Sequence, residues 1–123
     1  MDSLTVTKPV ETYKEFNFEA AHALPPHSPM HGHSFKVCVH IVGDPDPVFG
    51  WPVSLYDLDN HIDVLRKQVD HKVLNEIEGL SVPSLENLAG WVWNRLKPEF
   101  PGLDRVVVSR GFEGQSEGCV YRG

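Results

Sequence analysis

The sequence predicts an α+β domain: an antiparallel sheet of four strands with two helices on one face. Three observations predict it. Two segments near the N-terminus alternate apolar and polar residues at the period of a strand, and two central segments repeat apolar residues at the period of a helix. A short β-branched run and a short last strand then close the chain. The order is ββααββ, and strands arriving in two sequential pairs leave the helices between them to cover one face of the sheet.

Residues 1–9 read as a loose arm ending in Pro9. Val10 to Ala21 is the first strand, anchored by Tyr13, Phe16 and Phe18. The loop from Ala23 to Met30 holds Pro25, Pro26 and Pro29, and is expected to be stiff and irregular because proline fixes φ and lacks an N–H. In the second strand, His33 to Val42, His33, Phe35, Val37, Val39 and Ile41 share one face, and Ser34, Lys36, Cys38 and His40 the other. Gly43-Asp44-Pro45-Asp46-Pro47 terminates it.

The spacing of Ile62, Leu65, Val69 and Val73 predicts a helix from Asp57 to Ile77, with Asp59 or Asn60 as its cap. A second helix starts at Pro83-Ser84, carries the stripe Leu85, Leu88, Ala89, Val92, Trp93 and Leu96, and stops at Pro98 and Pro101-Gly102. Arg105 to Ser109 and Cys119 to Tyr121 are the last strands. A sheet of four strands leaves two edges open, which points to an oligomer built by joining sheets.

Residues 1–123 are read as a single domain. A net charge of −6 provides no global basic field, which argues against a nucleic-acid partner. No apolar run approaches the roughly 20 residues of a membrane span. The start MDSLTVTKPVETYKEF has neither the basic residues nor the apolar core of a secretory signal, so a cytoplasmic location is expected. In that reducing compartment Cys38 and Cys119 are expected as thiols.

The chemistry concentrates in FEAAHALPPHSPMHGHSF, residues 18–35. His31 and His33 are two apart on a strand, so their rings share a face, and neutral imidazole is a good zinc ligand. Gly32 between them allows an unusual backbone angle or a close approach. If the first two strands pair as a hairpin, His22 arrives beside this clamp. Three histidines on one zinc leave a fourth position for water or substrate, the arrangement of a catalytic site. Cys38 points to the opposite face and is excluded from the cluster. Separately, Asp70-His71 at the end of the first helix places a carboxylate beside an imidazole, a pairing that can orient a general base.

Taken in order, FEAAH, HGHSF, VDHKVLN, PSLEN and a late glutamate before GCVYRG resemble the 6-pyruvoyltetrahydropterin synthase family over roughly residues 10–123. The chain looks most similar to its bacterial 6-carboxytetrahydropterin synthase branch, which serves queuosine biosynthesis. The resemblance implies the tunnelling fold, with subunit sheets joined into a barrel, commonly a hexamer, and active sites at subunit interfaces. It implies zinc held by His22, His31 and His33, catalytic roles for Asp70 and His71, and a pterin ring anchored by Glu113, with Glu117 as the nearest rival. The implied reaction is zinc-assisted proton transfer on the side chain of a dihydropterin such as dihydroneopterin triphosphate.

One position departs from the family. Its base is a cysteine just before HGH, and His27 stands near that place here. Three roles are open to His27: replacement base, bystander to a changed reaction such as retro-aldol cleavage of dihydroneopterin, or fourth zinc ligand. The alternative function is a homologue that binds a pterin or purine without turnover.

Overall fold

The computed structural model describes residues 5–112 and 115–123. β1 (Val10–Leu24) and β2 (Ser28–Gly43) form a long antiparallel hairpin. α1 (Leu55–Val69) follows, then a two-residue strand β3 (Lys72–Val73) and one 3₁₀ turn (Leu74–Glu76). α2 (Leu85–Leu96), β4 (Leu103–Phe112) and β5 (Gln115–Tyr121) complete the chain.

The sheet has five strands in the order β3-β1-β2-β4-β5. It is mixed, because β3 runs parallel to β1 through Ala20 and Val73's neighbourhood, with Ala20 opposite Lys72 and Ala21 opposite Val73. This corrects the expected sheet of four antiparallel strands. The cause lies at the end of α1, which stops at Val69 rather than continuing to Ile77. Asp70 takes an extended conformation, its carboxylate accepting the Glu19 N–H at 2.9 Å. His71 then turns the chain through a left-handed φ of 59°, and its own N–H donates to the Glu19 carbonyl at 2.6 Å. The segment read as helical thereby becomes an edge strand beside β1. The cap of α1 is also not Asp59 or Asn60 but Ser54, whose hydroxyl accepts the Asp57 N–H.

The proline loop is shorter than expected as well. β1 extends to Leu24 and β2 begins at Ser28, so Pro25, Pro26 and His27 form the whole turn. The register shifts between His22 and Leu24. Pro29 falls inside this irregular stretch, where a missing ladder N–H is tolerated.

Both helices cover one face, as the pattern requires. Phe16, Phe18, Phe35, Val37, Val39, Ile41, Val106 and Val108 from the sheet pack with Leu58, Ile62 and Leu65 of α1 and with Leu88, Val92 and Leu96 of α2. Phe18 and Phe35 stack at 5.1 Å between centroids. Trp91 is a buried member of α2, whereas Trp93 of the predicted stripe is only half-buried. No helix among the described residues is long and apolar enough to cross a membrane.

Candidate metal centre and the cleft beside it

The same strand parity that builds the core also builds the site. His22 faces His31 across the β1–β2 ladder, and Ala20 faces His33, so the three histidines continue the apolar face of the sheet toward its end. Their rings lie 4.5 to 5.2 Å apart between centroids and meet edge to face. One ligand nitrogen from each lies within 4.8 Å of the others. Gly32 contributes no special conformation: its φ is not positive, and a Cβ there would meet only the Ala20 carbonyl, at an ordinary 3.6 Å.

Hydrogen bonds fix the tautomers. His22 Nδ1–H donates to the Pro83 carbonyl at 2.8 Å, and His31 Nδ1–H donates to the Pro29 carbonyl at 2.6 Å. Each Nε2 is left bare, the form that binds a metal. The PSLEN segment thus has a local and a distant role. Ser84 caps α2 by accepting the Asn87 N–H at 3.1 Å, and the Pro83 carbonyl just before it orients His22. Asn75 of VDHKVLN brackets Ala23 with two 2.9 Å hydrogen bonds, tying down the end of β1 beside His22.

His22 is buried, 1% exposed, and its Nε2 has no hydrogen-bond partner. A buried nitrogen acceptor without a partner is costly unless something fills its lone pair. Together with two neighbouring imidazoles, it fits a borderline-soft cation such as zinc, for which imidazole ligands about 2.0–2.1 Å away are usual. Burial lowers the His22 pKa despite the opposing Pro83 hydrogen bond. Burial and the Arg110 cation push His33 down to about 4. Both rings are therefore neutral near pH 7, as ligands must be.

The other predicted residues are placed as follows. Asp70 Oδ2 accepts from His71 Nδ1 at 3.0 Å and pairs with Arg66 at 3.4 Å. The Glu19 N–H is the leading cause that holds the Asp70 carboxyl below its ordinary range, with His71 and Arg66 adding to it. His71 and His33 line the same open cleft of about 490 Å³, with Glu19, Gly32, Ser34 and Lys72 on its walls. Ser34 Oγ donates to the Glu19 carboxylate at 2.7 and 2.8 Å, on the face of the sheet opposite the His33 ring. The segments that carry the two groups, far apart in the chain, thus border one cleft. His27 is exposed at the hairpin turn and is not part of the three-histidine cluster. Glu113 lies outside the described residues.

Sequence reasoning passed over Arg110, which touches His33 Nε2 and the Glu117 carboxylate. The signal was available: Arg110 follows Val106 and Val108 at the core-facing parity of β4, an unusual place for a cation. Glu117, noted as a rival to Glu113, is the partner of this arginine.

The family model for 6-pyruvoyl tetrahydropterin synthase matches residues 11–123. The chain belongs to this family. Among curated members of the 6-pyruvoyl tetrahydropterin synthase family, a 6-carboxy-5,6,7,8-tetrahydropterin synthase of Synechocystis is 39% identical, covering 78% of this chain and 82% of its own. A dihydroneopterin monophosphate aldolase of Pyrococcus furiosus is 32% identical, covering 79% of this chain and 86% of its own. The fold matches a Caenorhabditis elegans 6-pyruvoyl tetrahydropterin synthase with a TM-score of 0.80 at 23% identity, over 100% of this chain and 99% of that one. It also matches a Plasmodium vivax family member, mutated at a catalytic residue that is a glutamate, with a TM-score of 0.65 at 16% identity over 94% of this chain and 99% of that one.

Proposed function

We propose that this chain is a zinc-dependent lyase acting on the side chain of a dihydropterin, in the manner of the 6-pyruvoyl- and 6-carboxytetrahydropterin synthases. The observation that carries the reading is the three-histidine cluster with its buried, unpartnered His22 Nε2, on a sheet whose edge also carries the carboxylate-held imidazole of His71. Bound by His22, His31 and His33, zinc would polarise the side-chain hydroxyls of the substrate and acidify the neighbouring C–H.

The chain's own residues supply the rest. His71 gives its Nδ1–H to Asp70, so its Nε2 is the atom that takes or returns a proton in the cleft. Asp70 is itself held by Glu19 and Arg66, so the pair has a defined orientation. His27, on the hairpin turn, is assigned as the second proton-transfer group in place of the family's cysteine, and Glu113 as the pterin anchor. A carboxylate suits that task because it accepts two parallel hydrogen bonds from an amino group and a ring N–H. A homo-oligomer, a hexamer by family resemblance, would complete the cleft from neighbouring subunits. Light scattering that gives a monomer mass would sink that part of the proposal.

A second reading is favoured by the missing cysteine together with the 32% identity to an aldolase. In a retro-aldol cleavage, His71 Nε2 removes a side-chain hydroxyl proton, the adjacent C–C bond breaks, an aldehyde leaves, and a proton returns to the carbon left on the ring. No cysteine is needed. Incubation with dihydroneopterin triphosphate, dihydroneopterin monophosphate and dihydroneopterin, with products separated by chromatography, distinguishes the readings. A shortened pterin formed without release of free triphosphate, the phosphate leaving on the aldehyde fragment, marks the aldolase, and release of free triphosphate marks the synthase. Binding without any product refutes both and leaves a pterin-binding homologue.

A further inference from the structure

Arg110 stands opposite Phe35 of β2 and Glu117 of β5, on the helix-side face of the sheet. Its guanidinium has two partners. Nη1 donates to His33 Nε2, while Nε and Nη2 hold the Glu117 carboxylate, the Nε contact being 2.7 Å. Arg110 is mostly covered, 23% exposed, whereas Glu117 is 61% exposed. A cleft of about 250 Å³, lined by His33, Arg110, Gly111, Ser116 and Glu117, adjoins the guanidinium. The guanidinium therefore has both an anchor on Glu117 and open space beside it.

A neutral imidazole has one lone pair to give. His33 Nε2 cannot lend it to a guanidinium N–H and to a metal ion at once. Two positive charges a few ångströms apart also repel, most strongly where water is excluded. Glu117 softens this conflict by offering Arg110 a neutralising partner that does not involve the histidine.

We propose that Arg110 is a resident competitor of the metal centre: a metal on His33 displaces the guanidinium, which falls back on Glu117, and this exchange sets the metal affinity of the three-histidine site. The proposal rests on the reading of His22, His31 and His33 as metal ligands and concerns the regulation of that site. It predicts an affinity weaker than the three imidazoles alone would give. It also predicts that the arginine reports metal binding through its own environment.

The test uses the full chain, stripped with a chelator and dialysed. Co²⁺ is titrated by its visible absorption, and Zn²⁺ by competition with a chromophoric chelator. Arg110→Met should bind both at least tenfold more tightly than the parent, about 1.4 kcal/mol. Arg110→Lys, which keeps the charge but not the planar fork, should fall between them. In the parent, the Arg110 Nε–H resonance should move on addition of one equivalent of Zn²⁺, and should not move in His31→Ala. Equal or weaker binding by a folded Arg110→Met overturns the proposal. Should that variant not fold, an Arg110 Nε–H signal unmoved by zinc in the parent overturns it equally. Failure of the parent to take up metal in a His31-dependent way is a different result, and refutes the metal centre itself.

Discussion

Replacing His22 by phenylalanine separates the ring's place in the core from its role as a ligand. The ring is 1% exposed, and phenylalanine has a similar shape. Two effects oppose each other in chelator-treated protein. Losing the hydrogen bond to Pro83 leaves that carbonyl unpaired and costs about 1–2 kcal/mol. Removing the unpartnered Nε2 recovers about 1–3 kcal/mol of desolvation penalty. The variant should therefore stay within about 1 kcal/mol of the parent, a Tm difference of no more than about 5 °C for a domain of this size. Zinc changes the comparison. At a free concentration about one hundred times its Kd, it adds about 2.7 kcal/mol to the parent and nothing to the variant. Thermal unfolding followed by circular dichroism, in chelator and in zinc, reads both differences. Equal stabilisation of parent and variant by zinc would refute the reasoning. So would a loss of several kcal/mol in chelator, which would make His22 a core hydrogen-bonding residue rather than a ligand.

Other perturbations reach the same site by different routes. Ser84→Ala removes the cap of α2 and should cost about 1 kcal/mol in urea unfolding, while weakening zinc binding through the adjacent Pro83 carbonyl. Asp70→Asn leaves an oxygen to accept the Glu19 N–H but removes the charge beside His71. Its kcat should fall by about 10- to 100-fold with metal content unchanged, and an unaltered kcat would remove the pair from the mechanism. Acid should destabilise the chelator-treated protein. His33 is held at about 4 by burial and Arg110, so between its ordinary pKa near 6.5 and about 4 the unfolded chain takes a proton that the folded chain refuses. Stability then falls as pH falls through that window, with His22 adding to the slope, and levels off below it. Urea midpoints that stay constant from about pH 7 to about pH 4.5 would contradict this.

Much of the architecture was legible because parity on a strand is unambiguous. Once His33, Phe35, Val37 and Val39 shared a face, pairing of β1 with β2 left His22 little choice but to meet His31. The second helix was equally clear, bounded by Pro83-Ser84 and Pro98. The first was not, because Val73 continues a helical spacing by coincidence. What ends the helix is the Glu19 backbone, more than fifty residues away in the chain, capturing Asp70 and His71. Long-range hydrogen bonds of this kind leave no local periodicity. For the same reason the Asp-His pair could be noticed, but its convergence with His33 on one cleft could not. Arg110 was missed although its parity marked it, because it lies just past the run read as Arg105 to Ser109 and its partners sit on two other strands.

The most direct test is turnover as a function of metal occupancy. Chelator-stripped protein, assayed with dihydroneopterin triphosphate and its dephosphorylated forms, is titrated with zinc while bound metal is measured by mass spectrometry. The site described above predicts that product formation rises in proportion to bound zinc and stops rising at one ion per chain, and that His31→Ala neither binds zinc nor forms product. Full turnover in protein free of metal, or one tightly bound zinc per chain in His31→Ala, would contradict it.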